Sequence, residues 1–320
     1  MSKTTTEWEF WIDVGGTFTD CLGRSPDGRQ HRHKTLSSGV VKGNVVDGTR
    51  RSIVDRIRRS DPPNFWVGWT IRLLASNGTV IAESVVSQFD RSSGTLELAT
   101  PLLVPPSTGQ AYELDAGLDA PLVAVRYLTK VPPPHPLPPS RVRLGTTRGT
   151  NALLTRRGAR TAWITNKGFA DLLEIGYQDR AELFRLNFQK PERLYERVVE
   201  VSSRFAANGD ELSAIDLEQV ESQLRALRAQ GIESLAIGLM HAYAYPKHEQ
   251  QIAAVANKLG FSHVSVSHQI APVMRLVTRG DTTVVDAYLN PVLHSYLQRI
   301  ESELGPNSTL RLMNSAGGLE

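Results

Sequence analysis

Cysteine is almost absent: the 320 residues contain one, Cys21. A single thiol excludes an internal disulfide framework and any all-cysteine metal site. It also suits a reducing compartment. Long apolar runs are missing too. No window approaches the roughly eighteen uninterrupted apolar residues of a membrane span, and Met1 to Glu9 lacks the apolar stretch of a signal peptide. Charge of one sign is scarce, with 36 Lys and Arg against 33 Asp and Glu. The pI near 9.0 reflects that small excess and not a polybasic surface. Basic residues form no long runs, and Arg50-Arg51 and Arg58-Arg59 fit the solvated face of a helix. Nucleic acid and membrane are therefore not expected as partners, and a cytoplasmic location is.

What is there supports a packed core. The apolar fraction is 40% and the charged fraction 22%, which excludes global disorder. A chain of 35.3 kDa can form one large domain or two modest ones. It opens with three β-prone runs, Trp8 to Val14, Thr17 to Leu22 and Gln30 to Leu36, joined by tight turns. Val46, Ile53, Val54 and Ile57 then fall at near-helical spacing, which predicts a helix over 40–59. From Pro62 to Pro139 short alternating segments replace any helical period, and six prolines between Pro132 and Pro139 form a stiff exit. Residues 61–140 thus read as a β-rich insertion placed after the first helix.

Strand and helix patterns alternate again beyond it. Strands are predicted at Val142 to Leu144, Thr161 to Thr165, Leu235 to Met240, Val264 to Val266 and Thr309 to Met313. Helices are predicted at Thr150 to Arg157, Gly168 to Ile175, around Leu217 to Leu227, from Pro246 to Leu259 and around Leu289 to Leu304, with Pro291 as a kink. The chain ends on Gly317-Gly318-Leu319-Glu320 directly after a strand. The expectation is an N-terminal portion of a longer protein. Residues 1–60 and 141–280 would form an α/β lobe, and 281–320 a linking helix and the start of a second lobe.

The sharpest chemical signal is Ile12-Asp13-Val14-Gly15-Gly16-Thr17-Phe18-Thr19-Asp20. A strand delivers Asp13 to a Gly-Gly turn, and a second strand leaves at once. Glycines let backbone approach an anion closely, and consecutive N–H groups can cradle phosphate oxygens. Thr17 and Thr19 add hydroxyls, and a strand-end carboxylate can hold Mg²⁺ through water. No Gly-Lys-Ser/Thr follows, so this is not a P-loop. Further on, Gly145-Thr146-Thr147 leads into a helix carrying Asn151, an arrangement open to an anion at the helix start or to plain capping by Thr147, Thr150 or Asn151. Arg180 can fork onto a carboxylate or serve a surface ion pair. Lys34 is a weaker phosphate candidate. His241, His248, His263 and His268 have no convincing metal-ligand spacing, and Cys21 reads as a small buried hydrophobe.

Four ordered segments carry a resemblance. They are Asp13 to Asp20, Gly145 to Leu153, Gly168 to Gly176 with Arg180, and Arg279 to Pro291. Together they resemble the hydantoinase A/5-oxoprolinase family of the actin-like ATPase superfamily, and they span nearly all of the chain except the insertion. Gly149 departs from the alanine usual in that family, and Gly280-Asp281 is similar to its oxoprolinase branch. The resemblance implies an actin-like ATPase (ribonuclease H-like) first lobe. It implies an ATP- and Mg²⁺-dependent opening of 5-oxo-L-proline to L-glutamate, with a monovalent cation as a further candidate cofactor. Asp13 would serve catalysis and Mg²⁺. Gly15, Gly16, Thr17 and Thr19 would hold phosphates, and Thr146, Thr147, Asn151 and Arg180 the substrate carboxylate. A hydantoinase B-like module, fused or separate, and a homo-oligomer are the implied partners. A hydantoinase A or ketone-carboxylase ATPase subunit, or a non-catalytic truncated lobe, are the alternatives.

Overall fold

The computed structural model describes residues 7–178, 190–314, 318 and 319. They divide into two compact units, 1–148 with 297–320, and 149–296.

The first unit begins with β1 (Trp8–Val14), β2 (Phe18–Arg24) and β3 (Gln30–Leu36), an antiparallel meander in the order expected. β1 alternates cleanly: Phe10, Ile12 and Val14 are buried, while Trp11 and Asp13 face out. The expected helix over 40–59 does not form. That stretch holds β4 (Val41–Asn44), β5 (Asp47–Thr49), β6 (Ser52–Val54) and a 3-10 turn over Arg56–Ser60, capped by Asp55. Of the residues at helical spacing, Ile53 is fully buried, whereas Val46 is 36% and Ile57 70% exposed. Gly43 and Gly48 disfavour a helix, and β-branched Val41, Val45 and Ile53 favour the pleat that packs them under a tryptophan cluster.

β7 (Thr70–Leu74), β8 (Val80–Asp90), β9 (Thr95–Leu98) and β10 (Ala111–Asp115) complete a seven-stranded sheet, ordered β4-β10-β7-β8-β9-β6-β5. Phe65, Trp66 and Trp69 fill its core, with Trp66 edge-on to both of the others at 4.9 Å. This sheet therefore starts at Val41, earlier than the expected boundary at 61. Next comes α1 (Ala120–Thr129), which the sequence reading missed. Its first seven residues are all buried, so it shows no polar face and no amphipathic period. Tyr127 of α1 stacks on His33 of β3 at 4.1 Å. The insertion thus precedes the first helix of the unit instead of following it.

β11 (Ser140–Thr146) runs parallel to β1, and α2 (Arg148–Leu154) follows. The second unit holds β12 (Thr161–Asn166), a short α3 (Leu172–Ile175), β13 (Arg197–Val201), a small hairpin of β14 (Arg204–Phe205) and β15 (Glu211–Ser213), α4 (Leu217–Ala229), β16 (Ser234–Ile237), α5 (Lys247–Lys258), β17 (His263–Val266) and α6 (Ser267–Ile270). Its sheet, β13-β12-β16-β17, is parallel throughout. Every residue of β12 and β16 is buried, as expected of parallel strands covered on both faces. α7 (Leu276–Glu303) is a 28-residue helix with Pro291 inside it.

The last strand, β18 (Thr309–Leu312), corrects another expectation. It does not open a second lobe. It pairs in parallel with β11 and completes a five-stranded sheet, β18-β11-β1-β2-β3.

Candidate phosphate-binding site

β1, β11 and β18 are parallel neighbours, so their carboxyl ends share one edge of the sheet. Ligands of open α/β sheets gather at such an edge. Here the edge carries the Asp13–Thr19 hairpin and the Gly145–Thr147 segment.

The hairpin is closed by Gly15, whose N–H donates to the Phe18 carbonyl at 3.0 Å. A Cβ on Gly15 would sit 3.1 Å from that oxygen, so the tight closure favours glycine. Neither Gly15 nor Gly16 occupies the left-handed region. The N–H groups of Gly16 and Thr17 donate to no other group among the described residues, and both residues are exposed. Pairing across the strands places Gly145, Asp13, Asp20 and Lys34 in one row. The Asp13 side chain is exposed. Asp20 accepts from Lys34 Nζ at 3.0 Å and from Arg32 at 3.2 Å, and these cations, Lys34 first, hold its carboxyl below the usual carboxylate range. Lys34 also lies 4.9 Å over the Phe18 ring. It thus acts on the site through Asp20, a role the sequence did not suggest.

Thr19 departs from expectation. It is fully buried, and its Oγ1 lies 3.0 Å from Ser37 Oγ. Alternation along β2 turns it inward, so its hydroxyl is used within the protein. Thr17 stays exposed. Just after β11, Thr147 donates from N and Oγ1 to the Val14 carbonyl at 3.0 and 3.2 Å, tying the two strand ends together. Thr146 Oγ1 accepts from the Arg148 N–H at 3.1 Å, which leaves its own proton to donate elsewhere. Asn151 lies on α2 within the second unit, and Arg180 lies outside the described residues.

The residues fit the phosphate end of a nucleotide: among the described residues two amides without a partner follow the exposed Asp13 in the same hairpin. Among the described residues no three His, Cys, Asp or Glu side chains gather as a metal cage. A Mg²⁺ held mainly by phosphate and water needs only one or two protein carboxylates.

The second unit contains a polar cluster of another kind. Glu249 on α5 is fully buried. Its carboxylate accepts from the Leu239 N–H at 2.8 Å, Ser267 Oγ at 2.6 Å, the His268 N–H at 3.1 Å and His268 Nδ1 at 2.6 Å. Arg279, also buried, donates to the Leu239 and Val273 carbonyls. Sequence reasoning missed both, because a glutamate in Lys247-His248-Glu249-Gln250 looks like part of a solvated helix start. His248 packs on Phe205 at 4.5 Å and meets Glu211 at 3.0 Å, and His263 lies 3.5 Å from Asp286.

A model of the hydantoinase/oxoprolinase N-terminal region matches residues 9–97 and 123–260. The chain belongs to that family. The stretch between the two matched segments contains β10 and the start of α1. The chain is 40% identical over 233 residues to 5-oxoprolinase 1 of Arabidopsis thaliana and 37% over 239 residues to 5-oxoprolinase of Saccharomyces cerevisiae, 63% of this chain in both. It spans only 18% and 19% of those relatives. Caprolactamase subunit alpha of Pseudomonas jessenii is 31% identical over 183 residues, covering 55% of this chain and 26% of the relative.

The fold matches the crystal structure of the Pseudomonas jessenii ATP-dependent caprolactamase with a TM-score of 0.58 at 23% identity, over 97% of this chain and 36% of that one. It matches nucleotide-free acetone carboxylase with a TM-score of 0.56 at 18% identity, over 98% and 36%. The fold is a mixed α/β lobe with added β-sheet. Family membership also clarifies Gly149. A Cβ there would meet the Leu293 methyls at 3.5 Å, an ordinary contact, so the alanine usual in the family would fit.

Proposed function

We propose that this chain is the phosphate-handling N-terminal part of an ATP-dependent 5-oxoprolinase. One observation carries the reading: the exposed Asp13 ends a strand that leads into a hairpin whose Gly16 and Thr17 amides donate to no other group among the described residues. Relatives named 5-oxoprolinase and caprolactamase support a cyclic amide as substrate, and Gly280-Asp281 favours 5-oxo-L-proline within that class. A lactam is resonance-stabilised and hydrolyses slowly. Bound ATP would transfer its γ-phosphoryl group to the lactam oxygen with ADP leaving. One water then adds to the activated ring carbon, the C–N bond breaks as the nitrogen takes a proton, and a second water releases phosphate from the resulting acyl phosphate to give L-glutamate.

Gly16 and Thr17 bind phosphate oxygens through their N–H groups. Asp13 would hold Mg²⁺, which would offset phosphate charge there. Asp20, kept ionised by Lys34 and Arg32, adds negative charge on the same face. Thr146 has a hydroxyl proton to give the substrate carboxylate, while Thr147 spends its own on Val14 and holds the strand ends together. A monovalent cation, a hydantoinase B-like module and a homo-oligomeric cytoplasmic enzyme complete the proposal. By itself the chain supplies one side of a phosphate site and is expected to release no phosphate.

The test is phosphate release by the complete enzyme with Mg²⁺ and 5-oxo-L-proline, hydantoin or acetone. Release stimulated by 5-oxo-L-proline, and reduced about a hundredfold or more by Asp13→Asn, is the expected result. Stimulation by hydantoin or acetone instead assigns the chain to the other branches. Unchanged turnover in Asp13→Asn removes the hairpin from the mechanism.

A further inference from the structure

Ser37 follows β3 and begins the turn towards β4. Three hydrogen bonds join it to the glycine hairpin, eighteen or more residues earlier in the chain. Its N–H donates to the Thr17 carbonyl at 2.9 Å, and its Oγ donates to the Gly15 carbonyl at 2.8 Å. Its Oγ also lies 3.0 Å from Thr19 Oγ1. A serine hydroxyl has one proton. Since Ser37 gives it to Gly15, the proton between the two hydroxyls belongs to Thr19. The order of donation is Thr19 to Ser37 to Gly15, with the chain anchored on a fully buried threonine.

The consequence follows from the planarity of the peptide. The Gly15 carbonyl and the Gly16 N–H belong to one trans peptide unit and point in opposite directions. Ser37 holds the carbonyl inward, and this turns the Gly16 N–H outward, where it meets no other group among the described residues. Without that hold, a Gly-Gly turn can rotate the plane at little energetic expense. We infer that Ser37 is a positioning residue that fixes the Gly16 amide for a phosphate oxygen, with Thr19 fixing Ser37. The inference rests on the phosphate reading of the hairpin. It gives Thr19 a role different from the direct phosphate contact its place in the motif suggests.

The experiment measures the KM for ATP and for 5-oxo-L-proline in the complete enzyme, for wild type, Ser37→Ala, Ser37→Thr, Thr19→Val and Asp13→Asn. Ser37→Ala is expected to raise the KM for ATP about tenfold, the scale of one lost hydrogen bond to a charged group. The KM for 5-oxo-L-proline should stay within about twofold, and Ser37→Thr, which keeps the hydroxyl, should restore the KM for ATP. Thr19→Val should raise it about threefold. A purely structural role would lower the active fraction and move neither KM selectively. If Ser37→Ala does not fold, Thr19→Val reads the same split: a selective rise supports the inference and an unchanged KM for ATP overturns it. If Asp13→Asn abolishes turnover while the KM for ATP of Ser37→Ala stays at the wild-type value, the clamp is wrong and the phosphate hairpin stands. If Asp13→Asn turns over normally, the phosphate reading falls and the clamp with it.

Discussion

Two carboxylates in this chain are associated with the ends of parallel strands, and they differ in almost every respect. Asp13, in the first unit, is exposed and leads into a hairpin whose Gly16 and Thr17 amides donate to no other group among the described residues. Glu249, in the second unit, is buried and accepts four hydrogen bonds from the segments that follow β16 and β17. Glu249 spends its acceptor capacity on these four bonds, although the buried Arg279 Nε stays without a partner among the described residues. Around Asp13 the donors remain available. The contrast separates a carboxylate that builds a fold from one that the fold leaves exposed, and it does so without reference to motif.

The contrast is sharpest in stability. Glu249→Ala should destabilise the second unit by about 3–5 kcal/mol, because it strands the Leu239 and His268 amides, the Ser267 hydroxyl and the His268 ring. Glu249→Gln keeps the shape and part of the acceptor capacity, so its loss should be smaller. Urea unfolding followed by far-ultraviolet circular dichroism measures both. An alanine variant as stable as wild type would mean the cluster does not hold the unit together.

A third carboxylate, Glu9, tests the comparison within one strand. It lies four residues before Asp13 on the same face of β1, yet it is buried, and Arg24 and Arg143 bond to it. The Arg24 hydrogen bond, followed by that of Arg143, holds its carboxyl below the ordinary value of 4.5 against the opposing effect of burial. A depressed folded-state value means the stabilisation is fully present above 4.5 and fades as pH falls through the lower folded value. Glu9→Gln should therefore lose about 1–3 kcal/mol at neutral pH. The gap between variant and wild type should close as pH drops below 4.5. A gap independent of pH would show that packing, and not the ion pair, sets the loss.

Legibility followed the range of the interactions. β1 to β3 and the Gly-Gly turn were readable because alternation and turn chemistry are local. The strands over Val41 to Val54 were not, because their period mimicked a helix and the sheet that claims them closes through β10, some sixty residues later. α1 was invisible for the opposite reason: buried all round, it has no polar face to set a period. In the candidate site, the Gly-Gly turn after Asp13 was legible from spacing. Ser37 was not, because Ser37-Ser38-Gly39 looks like any turn and only folding brings it to Gly15. The inward turn of Thr19 could have been read from strand alternation, since Cys21 lies two residues on and was taken as buried.

The smallest expected effect is the most diagnostic. Asp13 and Asp20 are direct cross-strand partners, and like charges in that arrangement repel. Lys34 and Arg32 offset the charge of Asp20, and among the described residues no bond ties the Asp13 carboxylate to a neighbour. Replacing Asp13 by Asn removes the repulsion and breaks nothing that the fold uses. Asp13→Asn should therefore leave stability within about 0.5 kcal/mol of wild type, with the sign neutral or slightly stabilising, the usual range for an exposed position. The melting temperature should move by no more than about 2 °C, upward if at all. Paired with a large loss of turnover in the complete enzyme, that result marks a residue retained for function at a small expense to stability. A fall of more than about 1 kcal/mol would place Asp13 with Glu9 and Glu249 among the carboxylates that build the fold.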